Sequence, residues 1–157
     1  MKRIVALLSL TLLVVVGCSL WRIRERTEIM PSLITEHNQI RSTHDLGTLE
    51  IDPRLSAAAQ KHATHLATID RLTHYGEGGT RPSNRIKEQG YSYYLVAENI
   101  AAGFHDVDSL MEAWMLSPGH RKNIVGDYVH IGVGAATSLT GRTYWCVLFA
   151  VPTPSSL

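Results

Sequence analysis

Lys2 and Arg3 open the chain and are followed by an apolar run from Ile4 to Val16. That run is short for a bilayer crossing and has the length of an export signal's hydrophobic region. From Trp21 to about Thr27 the residues are charged and carry no core pattern, as a tether would. Helical spacing begins next: Pro31, Leu33, Ile34, His37, Ile40 and Arg41 fall on one face, and Gly47 marks the end of that segment. Asp52-Pro53 supplies an N-cap and then a proline at the first helical position, where a missing N–H costs nothing. In the second helix Leu55, Ala58, Ala59, His62, Leu66 and Ile69 form one apolar stripe through to Asp70, and the small alanines predict close packing.

A shorter helix is expected between Pro82 and Gln89, stopped by Gly90 in a left-handed conformation. Tyr91 to Ala101 reads as extended chain. Asp106 caps a further helix whose buried face is Val107, Leu110, Met111 and Trp114, and Pro118-Gly119 breaks it, which puts His120 just past a helix end. Tyr128 to Ala135 and Arg142 to Val151 are β-rich runs joined through Leu139-Thr140-Gly141, the pattern of an antiparallel hairpin. The sum is an α+β domain over residues 31–152, with helices on both sides of a small antiparallel sheet and a short tail at 153–157. No internal repeat interrupts it.

With 157 residues, 45% hydrophobic and 18% charged, the chain has the material for one globular unit. Without Lys2 and Arg3 the 15 basic residues become 13 against 14 acidic, a net charge of about −1 with neutral histidines. Near-neutral charge and the lack of a basic block exclude nucleic acid as a partner. Val15-Val16-Gly17-Cys18 resembles the lipobox of bacterial lipoproteins. On that resemblance residues 1–17 are a signal peptide, Cys18 becomes an acylated N-terminus, and 18–30 form a lipidated tether. Buried acyl methylenes would hold the protein on a membrane without a spanning helix, as an exported lipoprotein of the cell envelope. Cys146 is then the one remaining cysteine, leaving no intrachain disulfide, and among Tyr144, Trp145, Val147 and Leu148 it reads as a buried thiol.

Six short segments occur in a telling order: His37-Asn38 with Arg41; Leu55, Ala59 and His62-Ala63; Leu72-Thr73-His74; Arg85-Ile86 with Gly90-Tyr91; Ala97-Glu98-Asn99-Ile100-Ala101; and Trp114 through Ser117-Pro118-Gly119-His120-Arg121-Lys122-Asn123-Ile124. Ile131-Gly132-Val133-Gly134 completes the series. From Glu36 to Val151 the chain resembles the bacterial SCP-like branch of the CAP superfamily. The resemblance implies a three-layer α/β/α sandwich whose cleft gathers two histidines, carried over as His74 and His120, and a glutamate, Glu98. The place of a second glutamate, found in many members, holds Ser117. Glu112 does not replace it, because at helical pitch it lies about 150° from the apolar face whereas Ser117 lies about 70° from it.

Two imidazoles and a carboxylate are a sufficient ligand set for zinc with a position left open for water, which makes a divalent metal a candidate cofactor, although the ligands come from three separate segments without a compact His-x-x-x-His pair. Without metal, a histidine beside Glu98 is a candidate general base and Ser117 a candidate nucleophile. Equally, Glu98, His74 and His120 form a polar cluster that receives a ligand such as a lipid, a peptide or a cell-wall fragment. Ligand-binding module and envelope hydrolase thus both stand, beside a purely scaffolding role. Asn99 is expected to tie loops together through its amide. Arg121 and Lys122 are candidates for an anionic ligand or members of a solvated loop. His62 and His65 have a spacing that permits a metal pair, but His62 falls in the apolar stripe and reads as a core residue. His37, His44, His105 and His130 show no partner pattern. Tyr75, Tyr91, Tyr93 and Tyr94 would stack on a sugar or lipid, or cover the sheet.

Overall fold

A computed structural model describes residues 30–154. The apolar run, Cys18 and the tether up to residue 29, and the tail from 155, lie outside the described residues. Helix α1 occupies 30–42 and strand β1 Glu50–Ile51. Helix α2 is Pro53–Ile69 and helix α3 Pro82–Glu88. Strand β2 spans Tyr93–Ala102, α4 Val107–Leu116 and α5 Pro118–Ile124. Strands β3, His130–Thr137, and β4, Thr143–Pro152, close the fold.

The sheet order is β1-β3-β4-β2, with β4 antiparallel to both β2 and β3, as the hairpin pattern implies. The two-residue β1 adds a parallel edge to β3 that is too short for any alternation to announce. Side chains along β4 point alternately to opposite faces, as a strand requires. Trp145, Val147 and Phe149 pack with α1, α4 and α5. Tyr144, Cys146, Leu148 and Ala150 pack with α2 and α3. The three layers expected from the resemblance are therefore present, with β4 buried on both sides.

Asp52 starts α2 by accepting from the N–H groups of Arg54 and Leu55. The buried face of α2 is the stripe read from the sequence, except that Ile69 at its end is exposed. The helix lies unusually close to the sheet. A Cβ on Gly132 would overlap backbone atoms of Leu55 and Ser56, and one on Gly134 those of Ala59 and Gln60. Asp70 then ends the helix in a left-handed conformation, with its carboxylate taking the Tyr144 hydroxyl at 2.8 Å and that of Thr140 at 3.0 Å.

Pro118 breaks α4 as expected, but it also starts α5, since a proline at the first helical position loses no bond. His120 therefore sits inside a short helix rather than in a loop past one. On the same side Arg41 gathers four carbonyls: Gly47 at 2.8 Å, Ile124 at 2.9 Å, Gly126 at 2.7 Å and Tyr128 at 3.2 Å. Asn38 makes a reciprocal pair with the backbone of Leu49, at 2.8 and 3.2 Å. These contacts give the Asn38 and Arg41 pattern its physical task, which is to seat α1 on the loops beneath it. Among the described residues no helix is long and apolar enough to cross a membrane.

Candidate functional site

Glu98 and Asn99 are neighbours in β2 and so face opposite layers. Glu98 is 7% exposed and reaches residues of the α2 and α3 layer. Its Oε1 accepts from His74 Nδ1 at 2.8 Å, and its Oε2 takes a short ion pair from Arg85 Nη2. The Cys146 thiol donates to the same Oε2 at 3.4 Å. A buried carboxylate needs such compensation, and here a guanidinium supplies the charge. Arg85 is also tied by Nη1 to the carbonyls of His74 at 3.1 Å and Thr80 at 2.8 Å, which fixes the loop between α2 and α3.

His74 stands at the surface, its side chain 56% exposed. Because Nδ1 is spent on Glu98, Nε2 is the ring atom left for a ligand. His62 Nε2 lies 3.9 Å from Glu98 Oε1 and donates to the Thr73 carbonyl at 3.0 Å. Burial lowers the His62 pKa to about 4, against a smaller upward pull from Glu98, so the ring is neutral near pH 7 and the contact is no ion pair. Burial raises the Cys146 thiol well above its ordinary range, with Glu98 adding to the effect.

From the other layer, α5 brings His120, half-buried and 6.2 Å from the Trp114 ring between centroids. Its pKa is lowered, first by desolvation and then by the neighbouring His74. The His120 carbonyl accepts from Asn99 Nδ2 at 3.1 Å, and Asn99 Oδ1 accepts from Asn123 Nδ2 at 2.8 Å. Asn99 thus has the loop-tying task expected of it, fixing α5 against β2.

A family model described as CAP, the cysteine-rich secretory protein family, matches residues 34–149. The chain belongs to this family. Among solved structures, the CAP domain is similar to an outer surface protein from Borrelia burgdorferi. That match has a TM-score of 0.75 and 29% identity, covering 80% of this chain and 94% of that one. An extracellular SCP-domain protein from Bacillus anthracis matches with a TM-score of 0.70 and 25% identity, covering 76% of this chain and 39% of that one. Among sequence relatives, YkwD of Bacillus subtilis is 35% identical over 64% of this chain, and YlbC of the same species 32% identical over 62%. The matches span 40% of YkwD and 28% of YlbC, so this chain covers less than half the length of either.

Of the residues expected in the CAP cleft, the fold joins His74 to Glu98 directly and ties His120 in through Asn99. Ser117 stands at the N-cap of α5 and makes no capping bond with its side chain. Arg121 turns outward, its Nη2 3.1 Å from His44 Nε2 at the exposed surface. Glu112 is exposed, as its helical angle implies. Among the described residues no group of three or more histidine, cysteine or acidic side chains is arranged to hold a metal. Both oxygens of Glu98 are already engaged, so it fits poorly as a third ligand beside His74 and His120. It fits better behind His74, in the position from which a carboxylate orients a metal-binding imidazole. Arg85 and His62 are the site residues whose part in the cluster the sequence did not announce. Both stand in the motif series, but on the apolar stripe His62 reads as a core residue, and nothing in the sequence gives Arg85 a partner.

Proposed function

We propose that this chain is an exported, lipid-anchored binding module of the cell envelope whose CAP cleft offers His74 and His120 to a divalent metal, zinc above all, or to a ligand held through it. The observation that carries this reading is the 2.8 Å bond from His74 Nδ1 to the buried Glu98, which locks the ring and leaves Nε2 free. The lowered pKa of His120 supports it, because a neutral imidazole near pH 7 has a lone pair to give. Bound there, zinc would supply a Lewis acid with positions open to water or a ligand oxygen. Lipid, peptide and cell-wall fragment remain the ligand classes suited to an envelope location.

The hydrolase reading is the weaker one. The second acid position is Ser117, and Glu112 faces solvent, so no pair of carboxylates shares the work of acid and base. The test is zinc content and zinc titration of the purified chain beside His74→Ala and His120→Ala. Stoichiometric zinc that falls at least tenfold in affinity in each variant is the expected result. Zinc retained equally by all three proteins would refute the assignment.

A further inference from the structure

We propose, on the reading of His74 as a metal ligand, that Arg85 is the positioning residue for its ring. One buried guanidinium holds the His74 backbone with one nitrogen and, through Glu98, the His74 imidazole with another. The side chain it serves is 56% exposed and lies between α2 and α3, in a segment with no helix or strand. A side chain so placed ordinarily samples several rotamers, and ordering it opposes binding.

The main chain is pinned on both sides of the ring. The Thr73 carbonyl accepts from His62 Nε2 at 3.0 Å, and the His74 carbonyl accepts from Arg85 Nη1 at 3.1 Å. The Tyr75 N–H donates to Thr73 Oγ1 at 3.1 Å. Both peptide units flanking His74 are thus fixed. Arg85 Nη1 also takes the Thr80 carbonyl at 2.8 Å, and Nη2 pairs with Glu98 Oε2. Because the Cys146 thiol donates to that same oxygen, Oε1 is the one left to face His74 Nδ1, at 2.8 Å. Backbone carbonyl, guanidinium, carboxylate and imidazole therefore form a closed circuit of contacts.

A guanidinium can close that circuit and an ammonium cannot. Its nitrogens are coplanar and at fixed separation, so the two ends keep one relative position, whereas lysine offers a single point charge. The fork has no room to turn. The Arg85 side chain is 3% exposed, and a Cβ on Gly76 would stand 3.3 Å from its Cδ and from its Nη1. Lysine would supply the charge that buried Glu98 needs, but it would not hold the direction of the ring.

Arg85→Lys separates the two tasks, since it keeps the charge and loses the fork. The measurement is NMR of the imidazole nitrogens, which reports the tautomer, with scalar couplings across χ1, which report the rotamer. Both are read on the zinc-free chain at a pH of about 8.5, above the ordinary histidine range. The unaltered chain should show His74 in one rotamer with its proton on Nδ1. Arg85→Lys, with folding checked by its amide spectrum, should show both tautomers and averaged couplings, and its zinc affinity should fall about tenfold. A lower melting temperature with tautomer, rotamer and affinity unchanged would mean a task confined to stability, and would overturn the proposal. So would an averaged His74 in the unaltered chain, a result that stands even where Arg85→Lys does not fold. Absence of zinc binding by the unaltered chain would sink the metal reading, while tautomer and rotamer still decide the positioning.

Discussion

Glu98 shows how much a single buried charge can organise. Its carboxylate is met by Arg85, His74 and Cys146, each from a different segment of the chain. Removing one partner of a buried pair costs far more than the pair itself contributes, because the other charge is left without compensation. Glu98→Gln should therefore lower unfolding free energy by roughly 3 kcal/mol in urea titrations, by leaving the Arg85 guanidinium alone. His37 gives a second residue-scale prediction. It is buried against Trp114 and Phe149, and that burial lowers its pKa from 6.5 to about 4. The unfolded chain takes up this proton first as pH falls, so stability is lost between pH 6.5 and about 4. His37 should account for about 3 kcal/mol of that loss, and His37→Phe should remove its share in denaturation measured across pH while the share of His62, lowered over the same range, persists. The motif series made His74 and Glu98 legible as neighbours. Arg85 and His62 were not, because a helical arginine and a histidine on an apolar stripe look the same from sequence whether or not an acid from a distant strand meets them.

Elements were readable wherever a period or a cap marked them. The stripe of α2, the Asp52 and Asp106 caps and the β3–β4 hairpin all follow from local chemistry. The parallel edge of β1 and the helix α5 did not. Two residues carry no alternation, and Pro118-Gly119 reads as a stop although Pro118 also begins the next helix. The close contact between α2 and β3 rests on Gly132 and Gly134. Gly134→Ala should destabilise by at least about 1–3 kcal/mol, since its methyl group would meet helix backbone that cannot rotate away. Gly47→Ala, with open space around it, should change stability by no more than about 0.5 kcal/mol. Thermal melts of the two variants side by side make the comparison.

At the scale of the whole molecule, two helical layers grip a sheet whose middle strand is buried on both faces, and the residues of the proposed cleft come from both layers. Arg41 closes one of those layers by collecting carbonyls from the loop after α1, from the end of α5 and from the approach to β3. The proposed anchor also belongs to this scale. Cys18→Ala should shift the protein from the membrane to the soluble fraction while leaving its melting temperature unchanged, because the domain carries its own core. Cell fractionation checks the first part and a thermal melt of the purified chain the second. The glycine contact under α2 bears on how such a domain can vary. With that helix keyed against β3 and unable to slide, the span from Asp70 to His74 becomes a fixed ruler, and lengthening it would carry the imidazole away from its acid. The turn at Leu139-Thr140-Gly141 holds the near end of that ruler, because Thr140 bonds Asp70, so extra residues there would loosen its origin without changing its length.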